Sequence, residues 1–545
     1  MMIKMPLQDA EIADVFVIGG GVNGCGIARD AAGRGLTVVL AEKGDLASAT
    51  SSSSTKLFHG GLRYLEYFDI QLVREGLIER SILTRNNPHI SQPMRFVLPY
   101  HDAMRFEAAT PASRLLARLM PWMKGRRPAW MIRLGLFLYD TLGRRDALFP
   151  ATRSLDLRAD AVGQPLQAKY RRAFEYSDCQ VDDSRLVVLN AVDAAARGAR
   201  ILTRQKVVKA TAQDGIWQVS LQDSDTGQMQ QIKARSLVNA AGPWVGSVQA
   251  DIDAPPPDHT VRLVRGSHIV TRRLYDHDKA YFLQGKDGRI VFICPYHQDF
   301  SLIGTTDIDH PDPDTLAVCN SAETTYLLDF VSDYLKSPVV PKDVIWSFAG
   351  VRPLFDEGNG AASAASRDYR LDLEMAAGAP LLNVFGGKIT AYRHLSEQAL
   401  DKLAKVFPTA SPAWTKTAPL PGGDFRPEDL ALKIAEFHTR FAFLPATTAA
   451  RLVRAYGTEA DKIMGNARAL ADLGQAFGAG LTAREVRWMM RQEYARTADD
   501  ILWRRSKLGL RLGPDQVSAL ATFMAQDAKL ETPALSGQNS GINQF

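Results

Sequence analysis

Apolar residues follow three rhythms along this chain. The first is a short unbroken run. Val15 to Ile18 ("VFVI") is followed at once by glycines, then by a helical stretch, "GIARDAAGRG". A second run, "LTVVLAE", ends at Glu42. Such runs read as strands buried on both faces, and the order run–helix–run predicts parallel strands joined by a crossover helix. Two later segments repeat the form, "ARSLVNAAGPWVG" (Ala234 to Gly246) and "PLLNVFGGKITAYR" (Pro380 to Arg393), each a strand ending in small residues.

The second rhythm is alternation. "KVVKATAQDGIWQVSLQDSDTGQMQQIKARSLVNAAG" predicts hairpin strands with turns at Asp214-Gly215 and Thr226-Gly227. "GSHIVT", "GRIVFICPY" and "FSLIGTTD" predict a mainly antiparallel sheet between 260 and 355. The third rhythm is helical. It begins beyond a Pro- and Gly-rich linker, "PAWTKTAPLPGGDFRPEDL". There Thr482 with Glu485 reads as a capping box ahead of "VRWMMRQEYAR". The final "TPALSGQNSGINQF" is polar and reads as frayed.

The glycines after the first run carry chemistry. Gly19, Gly21 and Gly24 form GxGxxG between a strand and a helix. Gly19 makes the tight turn, Gly21 lets the backbone approach a pyrophosphate, and Gly24 permits close helix–strand packing. The helix N-terminus faces the phosphate charge. Glu42, 18 residues after Gly24, suits an adenosine ribose hydroxyl. Two further glycine turns, late in the chain and separated by large insertions, favour FAD over NAD. Gly20, Asn23 and Lys43 complete the first group of candidate cofactor contacts. Thr50, Ser51, Ser53 and Lys56 follow where the chain passes over the pyrophosphate, then Gly60, Gly61 and Leu62. Val207, Ala240 and Gly242 come from the middle of the chain, and Gly387, Lys388, Ile389 and Thr390 from the last glycine turn.

The fold class is therefore α/β, a Rossmann-type two-domain flavoprotein. An FAD-binding domain and an antiparallel-sheet substrate domain precede an all-helical C-terminal domain. We partition it as 1–100 (first FAD segment), 101–150 (a basic aromatic insertion), 151–250 (FAD domain with substrate-domain strands), 251–355 (substrate cap), 356–411 (last FAD segment) and 412–545 (linker and helices).

Bulk properties narrow the picture little further. The 545 residues carry 46% hydrophobic and 23% charged side chains, with a net charge of +5. That is mildly basic and no nucleic-acid arm. Cys25, Cys179, Cys294 and Cys319 form no CxxC, so neither a structural zinc nor any other metal site is expected. No spanning helix or signal segment is expected. The insertion places Leu115, Leu116, Leu119, Met120, Trp122 and Trp130 among Arg114, Arg118, Lys124, Arg126, Arg127 and Arg133. It reads either as a hairpin docked on the body or as a monotopic membrane contact. Nothing fixes the number of copies, and a homodimer is one arrangement carried forward.

"FHGGLRYLEYF" sets His59 and Arg63 around two glycines, and "FAGVRPLFD" and "FGGKITAYR" add Arg352 and Lys388. Three cations, each beside a glycine or proline, suit an anionic substrate held at the flavin. Together with "VIGGGVNGCGIARDAAGRGLTVVLAE", "RPAWMIRLGLFLYDTLG", "FEYSDCQVDDSRLV", "RGSHIV", "IGTTD" and "AWTKTAPLPGG", these blocks resemble aerobic FAD-dependent glycerol-3-phosphate dehydrogenases over most of the chain. The stretch between "PYHD" and "RPAW" is longer than that family's pattern leads one to expect.

The resemblance implies oxidation of sn-glycerol 3-phosphate to dihydroxyacetone phosphate, with FAD as hydride acceptor and membrane quinone as the final oxidant. It implies Arg63 and Tyr64 on the substrate phosphate, Arg352 and Lys388 beside the flavin, and His59 near it. It also implies the cytoplasmic face of the inner membrane. For the proton acceptor, His59 leads and His268 in "RGSHIV" is the alternative. The rivals are an oxygen-using glycerol-3-phosphate oxidase, an amine or 2-hydroxy-acid oxidase, an FAD protein acting on RNA, and a non-enzymatic membrane flavoprotein.

Overall fold

The computed structural model describes residues 12–531 apart from 103, 107–109, 121, 123–125, 144–145, 258, 286–287 and 357–367. The polar tail expected to fray therefore lies outside the described residues. β1 (Ala13–Ile18), α1 (Val22–Gly33) and β2 (Val38–Glu42) form the opening unit. β3 (Leu57–Phe58), a 3₁₀ turn over Leu62–Tyr67, α2 (Ile70–Asn86) and β4 (Ser91–Tyr100) follow. The insertion holds α3 (Pro111–Leu119) and α4 (Ala129–Leu142). Next come β5 (Arg153–Asp156), β6 (Arg172–Val181), α5 (Asp183–Ala196), β7 (Arg200–Thr203), β8 (Gln205–Gln213), β9 (Ile216–Asp223) and β10 (Met229–Asn239).

α6 (Val245–Ala250), β11 (Thr260–Arg272), β12 (Ala280–Gln284), β13 (Ile290–Tyr296), β14 (Phe300–Gly304) and β15 (Ile308–Asp309) lead to α7 (Ser321–Ser332). β16 (Val344–Asp356), β17 (Tyr369–Ala376), β18 (Ala379–Gly386) and α8 (Tyr392–Leu403) close the α/β part. The helical part holds α9 (Leu430–Arg440), α10 (Ala446–Tyr456) and α11 (Ala460–Met464). A small hairpin, β19 (Ala476–Gly478) and β20 (Leu481–Thr482), precedes α12 (Ala483–Gln492), a π-helical turn over Asp500–Arg505 and α13 (Pro514–Glu531).

Two sheets organise these elements. The first runs β17-β18-β10-β1-β2-β7 and carries the β8–β9 hairpin on β10. Its central pairs, β18–β10, β10–β1, β1–β2 and β2–β7, are parallel. Helices α1 and α5 pack on one face with α8, and Trp217 with its apolar neighbours fills the other. Burial on both faces is why these strands read as unbroken apolar runs. The turns at Asp214-Gly215 and Thr226-Gly227 fall between β8, β9 and β10 as the alternation predicts.

The second sheet runs β15-β11-β14-β13-β12-β4-β6-β3, with β16 on β11 and β5 on β6. It is antiparallel except where β12 meets β4. The interval 1–100, assigned to the FAD-binding half, thus gives β3 and β4 to the second sheet. Its apolar strands cannot tell from sequence which sheet they enter.

The capping box expected at Thr482 does not form. Thr482 makes no side-chain capping bond. Glu485 is turned into the helical core, where it accepts two bonds from Arg451 at 2.6 and 2.7 Å and one from the Tyr456 hydroxyl at 2.9 Å. A buried carboxylate with a bidentate arginine partner outweighs a single capping bond. The helical part is also tied by charge to the loop after β2 and to α5. Arg505 donates to both oxygens of Asp45 at 2.6 and 2.7 Å, and Arg185 pairs with Glu493 at 2.5 Å.

Candidate active site

A cavity of about 450 Å³ runs from the β1 glycines to the β18 glycines. That volume lies within the usual range for cofactor clefts. At one end Gly19 sits at φ 109°, and a Cβ there would meet the Ala240 carbonyl oxygen at 2.6 Å. A Cβ on Gly24 would lie 1.9 Å from the Gly19 carbonyl oxygen, so the glycine spacing is enforced by strand–helix contact. Glu42 closes the turn with both oxygens, accepting the Gly20 N–H at 2.7 Å and the Gly44 N–H at 2.8 Å. Burial raises its pKa, and those two donors oppose the rise. Each oxygen keeps a second lone pair for a ribose hydroxyl. Ser51 accepts from the Val22 N–H at 3.0 Å, at the first turn of α1.

Lys43 stands 3.8 Å above the Trp244 ring and 3.6 Å from Asp314. The Trp244 indole N–H donates to Asp314 Oδ1 at 2.6 Å. This trio walls the same end and ties the first sheet to the loop after β15. Lys43 was expected here and Asp314 was not. Trp244 lay within the conspicuous "GPWV" block.

At the other end, Tyr64, His59, Arg352 and Lys388 line the cavity together. The Lys388 ammonium lies 3.7 Å from the Tyr64 ring centroid. Arg352, on β16, donates to Thr305 Oγ1 at 2.7 Å and is paired with Asp307. The neighbouring strand must be bare for this: a Cβ on Gly266 would lie 2.2 Å from the Arg352 guanidinium. The His59 N–H donates to Thr390 Oγ1 at 3.2 Å, which fixes the loop beneath the last glycine turn.

Gly19, Gly20, Gly21, Asn23, Thr50, Ser53, Val207, Ala240, Gly242, Gly387 and Ile389 line the cavity as well. Other expected residues stand behind its wall. Arg63 does not line it. On a 3₁₀ turn successive side chains diverge by about 120°, and Tyr64 takes the wall. Arg63 instead acts, with Arg127, on the Glu66 carboxyl, which burial raises. Lys56 is 2% exposed and bonded to both Asp183 oxygens at 2.9 Å.

The Gly60-Gly61 pair and Leu62 do not line the cavity either. A Cβ on Gly60 would meet Leu77 at 2.6 Å, so this glycine lets α2 pack closely. The Gly60 N–H donates to the Tyr139 hydroxyl at 2.8 Å. That hydroxyl donates in turn to Asp178 at 2.7 Å. Burial pushes Asp178 up to about 6 despite Arg80. Thr390 is buried beneath His59.

His268 is buried and stacked on Phe348, with centroids 4.9 Å apart. Burial, then Arg352 and Lys56, holds its pKa well below the ordinary value. Its Nε2 lies 3.1 Å from the Thr55 hydroxyl, and Thr55 lines the cavity. Thr55, Thr305, Asp307, Gly266, Tyr139 and Asp178 escaped the sequence reading. Each acts through a partner distant in the chain.

The residues present fit FAD. The glycine cradle and Glu42 match an adenosine diphosphate end, and the buried Oδ1 of Asn23, facing no protein donor, offers an acceptor beside it. Fold and site together define a two-domain flavin-dependent oxidoreductase. The family model for FAD dependent oxidoreductases matches residues 14–393, and that for the C-terminal domain of alpha-glycerophosphate oxidase matches residues 413–532. The chain belongs to the FAD-dependent oxidoreductase family.

Glycerol-3-phosphate dehydrogenase of Pseudomonas aeruginosa is 47% identical over 521 residues, 95% of this chain and 96% of its own. D-erythritol 1-phosphate dehydrogenase of Brucella abortus is 47% identical over 506 residues, 93% of this chain and 96% of its own. The solved glycerol-3-phosphate dehydrogenase of Bacillus halodurans, complexed with FAD, superposes with a TM-score of 0.70. It covers 97% of each chain at 23% identity, a likeness of fold.

Proposed function

We propose that the chain oxidises sn-glycerol 3-phosphate to dihydroxyacetone phosphate with FAD as cofactor. One observation supports the site assignment: Arg352, on β16, and Lys388, in the turn after β18, line the same cavity as Tyr64 and His59, with the Lys388 ammonium over the Tyr64 ring. Two fixed cations suit a phosphate dianion. The identity to the Pseudomonas aeruginosa enzyme supports the same substrate. The equal identity to the erythritol-phosphate enzyme favours, as second reading, a longer phosphorylated polyol. Both substrates present a secondary hydroxyl and a terminal phosphate.

Bound FAD supplies the two-electron acceptor for the carbinol hydrogen. Arg352, oriented by Asp307 and Thr305, holds the phosphate. Lys388, kept in place over Tyr64, adds positive potential at the reacting end. His59 takes the hydroxyl proton on its unprotonated ring nitrogen. His268, the alternative acceptor, does not line the cavity and is bonded to Thr55, which does; this supports His59 as the acceptor.

The electrons go on to a membrane quinone. Among the described residues no helix is long and apolar enough to cross a membrane. Supporting a surface contact, Leu119, Trp122 and Trp130 are 63%, 70% and 52% exposed among the exposed cations Arg114, Arg118, Arg126 and Arg133. The side chain of Leu116 and all of Lys124 lie outside the described residues. α3 and α4 both pack on the Leu62–Tyr67 turn, so this surface adjoins the turn that carries Tyr64. We place it against the cytoplasmic face of the inner membrane.

Anaerobic mixing tests the assignment. Glycerol 3-phosphate should bleach the flavin, and quinone rather than oxygen should restore it fast. Faster bleaching by erythritol 1-phosphate would select the second reading. Fast reoxidation by oxygen alone would make the protein an oxidase.

A further inference from the structure

The helical part contains a second cavity, of about 760 Å³, between α11, the turn over Leu470–Leu473 and α12. It shares no lining residue with the FAD cavity. Five cations line it, Lys462, Arg468, Arg484, Arg487 and Arg491, against one carboxylate, Asp472. That carboxylate is committed locally, accepting the Arg468 and Ala469 backbone N–H groups at 2.7 and 3.0 Å. Lys462 and Arg487 reach Glu459 and Asp527 at 2.7 and 2.8 Å. The Arg468 and Arg484 side chains form no ion pair or hydrogen bond among the described residues. Elsewhere the arginines that line the interior meet carboxylates, as Arg393 meets Glu79 and Arg505 meets Asp45.

The cleft is shaped to keep these charges together. Arg484, Arg487 and Arg491 stand three and four residues apart on α12, on one face, with Trp488 beside them. Like charges at that spacing oppose the helix. The other face, Val486 and Met489, is buried in the domain core. Gly465 and Gly474 turn with φ 52° and 75°. A Cβ on Gly465 would come within 2.9 Å of the Arg484 guanidinium, and one on Gly474 within 3.1 Å of the Ala483 Cβ. Both loops therefore close down on the start of α12 only because those positions are bare.

We propose that this cleft is a binding site for a small anion carrying two or more phosphate groups. Arg468 and Arg484, which form no ion pair among the described residues, can each take a phosphate group of their own. Guanidinium forks match phosphate oxygens two at a time. Clefts lined by one sign of charge focus potential onto a ligand of the other. The volume suits a compact ligand, and cations around a concave wall suit a chain of phosphates better than a flat sheet of headgroups. Trp488, half-buried at the wall, offers a face to a nucleobase, so the phosphates can come from a nucleotide or from inorganic polyphosphate.

Calorimetric titration of the full-length, FAD-saturated protein tests this, using AMP, ADP, ATP and inorganic triphosphate. The expected result is saturable 1:1 binding that tightens with phosphate number and weakens with salt, while the flavin spectrum stays unchanged. The double variant Arg468→Ala/Arg484→Ala removes two side chains that form no ion pair or hydrogen bond among the described residues and feel only the charge of exposed Asp472, so its melting curve should match the parent. Its affinity should fall about tenfold or more, the scale for losing charged contacts to a ligand. Equal binding of ATP and triphosphate assigns inorganic polyphosphate; tighter ATP, weakened by Trp488→Phe, assigns a nucleotide. Three results overturn the proposal. One is no saturable binding up to about 1 mM, already weak on the affinity scale. Another is binding that the double variant leaves intact. The third is loss of sedimentation with phosphatidylglycerol vesicles in that variant when no oligophosphate binds the parent.

Discussion

Adding one methyl group at Gly266 should disable catalysis without unfolding the protein. Gly266 lies in β11 opposite Gly350 of β16, away from any turn. Its new Cβ would lie 2.2 Å from the nearest guanidinium nitrogen of Arg352, where ordinary contact begins near 3.4 Å, so the guanidinium must retreat by about 1.2 Å. The Thr305 hydroxyl, at 2.7 Å, must give way as well; both are side-chain atoms, so the strain is relieved by moving them rather than by parting the strands. Displacing a substrate-positioning group by about 1 Å can cost about 10²-fold in rate, roughly 2.7 kcal/mol. Gly266→Ala should therefore lower kcat/KM for glycerol 3-phosphate by about 100-fold, while flavin content and melting temperature stay near the parent's. Arg352→Ala should cost about 2–5 kcal/mol, and in the Gly266→Ala background it should add far less, because the clash and the lost contact are the same event. Steady-state kinetics of the two singles and the double decide it. A Gly266→Ala enzyme within threefold of the parent, or fully additive effects, would refute the placement of Arg352.

Four further outcomes follow from the same geometry. Gly24→Ala drives its Cβ against the Gly19 carbonyl at 1.9 Å, so the purified protein should carry little FAD by absorbance. Glu485→Ala leaves Arg451 unpaired and should lower stability by about 3–5 kcal/mol, read by chemical denaturation. Burial raises the Glu175 pKa, but Arg95, Lys279 and Arg153 outweigh it and hold the group near 2, below its usual 4.5. Its stabilisation is thus complete above about pH 4.5 and lost as pH falls towards 2. Melting curves from pH 6 to 3 should fall less steeply for Glu175→Gln than for the parent. Replacing Leu115, Leu119 and Trp122 with serine should release the protein from anionic vesicles while glycerol 3-phosphate still bleaches the flavin; retained binding with a lowered melting point would make α3 a docked hairpin instead.

Legibility from sequence followed the range of the interactions. The β1–α1–β2 unit was readable because strand, glycines, helix and Glu42 lie within about thirty residues and each has a local geometric duty. The β8–β10 turns were readable for the same reason. Thr482 and Glu485 had the right spacing for a cap, yet Arg451, more than thirty positions earlier, took the carboxylate. Lys56 has the place of a phosphate ligand in sequence, but Asp183, far along the chain, holds its ammonium. Gly60 and Gly61 suit a cofactor neighbour by sequence, but Gly60 accommodates α2 and the Tyr139 hydroxyl, and Gly61 the Tyr64 ring. Arg63 and Tyr64 are adjacent in sequence, and only the 3₁₀ turn decides which faces the cavity.

The bond between Arg505 and Asp45 spans 460 positions. During synthesis at roughly 5–20 residues per second, Asp45 waits about 25–90 s for the arginine that neutralises it. The nucleotide-binding loop that leaves the ribosome first is thus among the last parts of the protein to be completed. A loop made near the start of synthesis takes its last charge partner from residues made near its end.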